Sequence, residues 1–161
     1  MLQHILISAA GMRERKFVWA LILAALSLIS APASSQEVAG TIESISGPVN
    51  VIHGGQLRSA QVGMELLAGA RITTGPGGYA EVRLRDETQL AIGPDCRIRI
   101  SRFQFDPKTN VGNMLVTVVK GALRVTTGLI GRRDPKAVQF RTIVGTVGIR
   151  GTQFIVESGE Y

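Results

Sequence analysis

From Gln36 onward the apolar residues fall in short runs, many with a period of two, and most of the 18 glycines of this stretch lie between them. Glycines recurring at spacings of roughly six to twelve residues are the rhythm of short strands joined by turns. The clearest strand is Tyr79 to Leu84, where Ala80, Val82 and Leu84 alternate with Tyr79, Glu81 and Arg83 behind the turn Gly75-Pro76-Gly77-Gly78. Such alternation puts one face in a core and the other in water. Cys96, Ile98 and Ile100 alternate with Arg97, Arg99 and Ser101, after which the apolar parity moves to Phe103 and Phe105. A bulge or corner near Ser101-Arg102 accounts for the change.

Asp106 to Asn110 reads as a loop, Met114 to Val119 as a strand buried on both faces, and Gly121 as the turn into a strand from Ala122 to Thr127. Gly131 to Lys136 reads as a charged, exposed loop, and Val138 to Thr142 and Thr152 to Glu157 as closing strands. No segment carries a helical stripe. The expectation is one all-β domain over residues 36–161, of about ten short strands, arranged as a sandwich or as a β-roll or solenoid.

Residues 1–35 have a different grammar. Arg13, Arg15 and Lys16 follow Met12, the apolar stretch Phe17–Ile29 comes next, and Ala31-Pro32-Ala33-Ser34-Ser35 leads into Gln36. This is the layout of a cleavable secretory signal, with Met12 as the expected true start. A membrane-spanning helix needs roughly 20 apolar residues, so no stable span is expected after cleavage. The expected location is the periplasm or the medium outside a bacterial cell.

Export changes what the charge means. The whole chain has 18 Lys+Arg against 12 Asp+Glu; without Arg13, Arg15, Lys16 and Glu14 the balance from Gln36 is 15 against 11, a net of +4. A basic surface favours polyanions. Arg83, Arg85, Arg97 and Arg99 occupy polar strand positions that would align as one basic face, with Arg132 and Arg133 in the nearby charged loop. Stacking aromatics are scarce, and export removes nucleic acid as a partner, leaving an envelope protein, an anionic glycan or a lipid headgroup.

The chemistry of catalysis is thin. His53 is the sole histidine after the leader and Cys96 the sole cysteine, and no orienting residue joins them into a dyad. Neither a metal site nor a cofactor is expected, and Gly145 to Gly151 lacks the spacing of a nucleotide loop. The expectation is a non-enzyme.

Several ordered patterns resemble the FecR domain family. They are Gly40-Thr41-Ile42, Gly47-Pro48-Val49, Val62 to Leu66, Ala70 to Gly75, Ala80 to Leu84 with Asp86, Leu90 to Asp95, and the Arg150-Gly151-Thr152 signature with Phe154 two residues on. Where the family often has Gly-Asp, Asp-Gly and Thr-Pro, this chain has Gly69-Ala70, Asp86-Glu87 and Thr142-Ile143. The resemblance implies a periplasmic or cell-surface module, best known in regulators that relay iron-siderophore signals to a sigma factor. No anti-sigma segment is read before the apolar stretch, so the leading expectation is a binding or scaffolding module. The alternative is an accessory regulator working with a separate membrane partner. Within the signature, Arg150 is expected to tie backbone carbonyls across a turn through its five-donor fork, or else to contact a partner with Gly151 and Thr152.

Overall fold

The structure is a computed structural model that describes residues 37–149 and 151–159. The leader and Arg150 lie outside the described residues. Twelve strands form among them: β1 (Val38–Ser46), β2 (Val49–His53), β3 (Gln56–Ser59), β4 (Glu65–Leu67), β5 (Arg71–Thr74), β6 (Tyr79–Leu84), β7 (Gln89–Ile92), β8 (Arg97–Asp106), β9 (Val111–Thr126), β10 (Val138–Arg141), β11 (Thr146–Gly148) and β12 (Gln153–Ser158). The domain is all-β, as its alternation requires.

These strands make one curled sheet in the order β3-β2-β5-β8-β9-β7-β6-β1-β4. The first part of β9 pairs with β8 on one side and β10 on the other, and its last residues pair with β7 and β12. One long strand therefore belongs to both halves of the sheet. The β9–β10 pair is parallel, and its return connection carries a short helix, α1 (Leu129–Arg133), followed by a 3₁₀ turn over Pro135–Ala137.

Inward side chains of both halves merge into one core, from Ile42, Val82, Leu84 and Leu123 in one half to Ile72, Ile98, Phe103, Val116 and Phe140 in the other. Phe140 meets Phe154 edge-on, with ring centroids 5.2 Å apart at 79°. Such a pair adds about 1 kcal/mol beyond the area it buries. The bulge at Ser101 is present: the β8–β9 register slips between Ile100 and Arg102, which turns Phe103 and Phe105 inward.

Three local expectations are corrected. Gly121 is not a turn between two strands but a bend inside continuous β9, with φ of +87°. A Cβ there would stand 2.7 Å from the Cys96 Cα, so only glycine lets the strand pass that close and cross into the other half. Residues 131–136 are not wholly irregular: Gly131 is buried in α1, while Arg132 to Lys136 are exposed. The strand from Met114 to Val119 is only partly covered on its outer side, where Leu115 is buried but Thr117 and Val119 are half-buried.

The turn that lacks the family's glycine is made all the same, with Glu87 at φ of +67°. A side chain in that conformation costs about 1–2 kcal/mol, more than glycine loses in chain entropy. Glu87→Gly is therefore expected to stabilise the domain by about 0.5–1 kcal/mol, read as a higher urea midpoint with an unchanged slope.

Candidate functional site

The sequence-predicted arginines do not form one face. Arg83 belongs to β6, and β7 and β9 stand between β6 and β8, so Arg83 and Arg97 lie on different halves of the curled sheet. The alternation within each strand holds, since all four arginines are exposed. What local alternation does not contain is which strands become neighbours. Arg83 is paired with Glu43, and Arg85 with Glu37 at 3.3 Å. The Glu43 partner raises the Arg83 pKa through its hydrogen bond and charge. Arg132 and Arg133 are exposed in the last turn of α1.

Arg97 and Arg99 acquire different neighbours. Across the strands, Arg99 stands opposite Arg71 of β5 and opposite Thr117 of β9, and Thr117 in turn stands opposite Arg141 of β10. Arg97 stands opposite Lys120, and past the bulge Arg102 returns to the same outward side, opposite Leu115. Six exposed cations are thus collected on the outer face of β5, β8, β9 and β10. Arg71, Arg102, Lys120 and Arg141 were not singled out from the sequence. Arg71 and Arg141 occupy the polar parity of their strands, before buried Ile72 and after buried Phe140, whereas Arg102 and Lys120 are turned outward by the two register slips of the β8–β9 pair, the one at Ser101 and a second between Val118 and Lys120.

The two groups with catalytic potential are held apart. Cys96 is buried, its backbone N–H donating to the Thr74 hydroxyl at 2.9 Å, and burial pushes its thiol pKa up to about 11. Thr74 pairs with Val49 on β2, and His53 lies four residues further along that strand, about 13 Å away at the usual rise. His53 lines an open groove with Gln56, Arg58, Met64 and Glu65. Cys96→Ala is expected to cost about 1 kcal/mol, as for a small core hydrophobe, and the native thiol to resist alkylation until the protein unfolds. Fast labelling of the folded protein would contradict this.

A buried carboxyl was visible in the sequence only as part of a motif. Asp86 is wholly buried; it accepts from the Thr88 N–H at 3.2 Å and the Thr88 hydroxyl at 2.8 Å. The Thr88 hydroxyl oxygen accepts from the Gly128 N–H at 3.0 Å, and the Asp86 carbonyl from the Leu129 N–H at 2.6 Å. The β6–β7 turn thereby fastens the start of α1. Burial raises the Asp86 pKa, while the hydrogen bonds from Thr88 and from the Ile130 backbone pull it down.

Of the Arg150-Gly151-Thr152 signature, the flanks are described. Gly151 has φ of +96°, its carbonyl accepts from the Thr127 hydroxyl at 3.3 Å, and the Thr152 carbonyl accepts from the Thr127 N–H at 2.8 Å. Among the described residues no three His, Cys, Asp or Glu side chains gather as a group able to hold a metal ion, and no helix is long and apolar enough to cross a membrane.

The family model described as "FecR protein" matches residues 70–160. No curated protein matches the chain. A solved structure described as "Cell surface anchoring domain" is 29% identical over 38% of this chain and 82% of that one, with a TM-score of 0.37.

Proposed function

The chain belongs to the FecR protein family, an envelope-associated class of module, and from that premise we propose that it is an exported, non-catalytic binding or scaffolding protein of the bacterial envelope. The observation that carries the reading is the family match across residues 70–160, which spans β5 to β12. The signal-like layout of Arg13 to Ser35 supports export. A buried thiol with a raised pKa, and a histidine on β2 that is separated by β5 from the strand Cys96 leads into and lies about 13 Å along β2 from Val49, support a role by contact, since a nucleophile needs a base within hydrogen-bond reach. Photo-crosslinking in living cells, with the probe on the exposed face of β8, tests the proposal. Adducts with envelope components are expected; adducts confined to cytoplasmic proteins would contradict it.

A second reading, an accessory regulator meeting a separate membrane partner, draws on the strands that branch from β9 and β10. Among the described residues β11 pairs only with β10, and β12 only with β9. Val144 and Ile155 beside these edges are 86% and 62% exposed. Open strand edges with apolar side chains are the surface on which a partner's strand can be added.

A further inference from the structure

We infer that the outer face of β5, β8, β9 and β10 is a binding surface for a linear acidic polysaccharide, its carboxylates taken by Arg71, Arg99 and Arg141 in a row and by Arg97, Arg102 and Lys120 around them. This deepens the envelope-module reading and rests on it for where such a polymer is met. The row runs straight across the strands, Arg71 opposite Arg99, Arg99 opposite Thr117, and Thr117 opposite Arg141. At the usual strand spacing it is about 14 Å long, enough for a chain to lie along it.

The face is kept positive against its own stability. Arg71 with Arg99 and Arg97 with Lys120 are like charges directly opposite each other, an arrangement that weakens a sheet. Among the described residues none of the six is in an ion pair, whereas Arg83 and Arg85 each have a glutamate. Asp106 is the one carboxylate on β2, β5, β8, β9 and β10. It sits at the far end of β8 and is occupied by its own turn, accepting from the Lys108 N–H at 2.9 Å and the Thr109 hydroxyl at 2.8 Å. A carboxylate polymer supplies the missing counter-charge, and the planar guanidinium fork matches a carboxylate with two parallel bonds.

The side chains between the cations select the class of polyanion. Thr73, Ser101, Thr117 and Gln139 occupy the intervening outward positions, and the Ser101 and Thr117 hydroxyls lie 2.8 Å apart. Hydroxyls and amides suit the hydroxyls of sugars. No aromatic side chain stands among them for a nucleobase to stack on. Exposed Leu57 lies on edge strand β3 and exposed Val111 at the far end of β9 opposite Asp106, while Leu115 and Val119 on the outer side of β9 are buried and half-buried, so the centre of the face presents no protruding apolar anchor for a bilayer.

The test uses the protein as recovered from cells and polygalacturonate, a linear uronate polymer, as probe. Neutral dextran of equal length and phosphatidylglycerol vesicles serve as the other arms. Binding to polygalacturonate that weakens with salt is expected, with dextran unbound. Arg99→Gln/Arg141→Gln is expected to weaken it about tenfold or more while the thermal midpoint stays level or rises, and Arg99→Lys to weaken it with the charge kept. Arg83→Gln, on the other half, leaves binding unchanged. Equal losses for Arg83→Gln and the double variant, no binding to the polymer, or binding to the vesicles alone would each overturn the inference. A protein that is exported but binds no polymer refutes this surface alone, whereas one found in the cytoplasm refutes the envelope reading whatever it binds.

Discussion

Gly121→Ala is expected to lower the stability of the domain by about 3 kcal/mol, read as a large drop in the urea midpoint. Two costs combine. The backbone at Gly121 has φ of +87°, which an L side chain adopts at about 1–2 kcal/mol. The added Cβ would also stand 2.7 Å from the Cys96 Cα and 2.8 Å from its Cβ, an overlap between two backbones that relaxes only by moving β8 away from β9. Overpacking of that kind costs about 1–3 kcal/mol. Gly69→Ala isolates the first cost, because Gly69 has φ of +93° but nothing within 4 Å of its added Cβ. It is expected to lose only about 1 kcal/mol. Equal losses at the two positions would mean that the passage of β9 beside Cys96 is not tight.

The second large effect is at Asp86. Asp86→Ala removes the acceptor for the Thr88 N–H and the Thr88 hydroxyl, both buried, and loosens the junction that holds the Gly128 N–H at the start of α1. Each buried donor left without a partner costs about 1–3 kcal/mol, so a loss of about 3–4 kcal/mol is expected. Asp86→Asn keeps one acceptor oxygen and gives a pH test. Burial raises the folded-state pKa of Asp86 above its ordinary 3.8, so the folded protein binds this proton more tightly than the unfolded chain does. The linked stability is fully present below 3.8 and is lost as pH rises through the folded pKa. The difference in unfolding free energy, wild type minus Asp86→Asn, is therefore expected to grow in favour of the wild type as the pH is lowered from neutral into the carboxylate range. A difference that shrinks on acidification would show the carboxylate, not the acid, to be the form the fold prefers.

Period-two alternation carried most of the fold. It located β6 to the residue and put the bulge of β8 at Ser101-Arg102, because both are consequences of which side chains face the core. The strand β9 was legible only as two pieces: a glycine between two apolar runs reads as a turn, and only the nearness of Cys96 makes this one a bend. Helix α1 has five residues, too few to display a helical period. The basic face was legible one strand at a time. Arg97 and Arg99 stood out because two arginines share one strand, while Arg71 and Arg141 are single cations on strands far apart in sequence. The pairings that align them are non-local, and no local pattern encodes them.

Export is the claim on which the functional account turns, and the mass of the protein's N-terminus after cell fractionation tests it most directly. A soluble periplasmic or secreted form that begins at Ser34 or Gln36 is expected. Recovery of an intact Met12 terminus in the membrane or cytoplasmic fraction would contradict it.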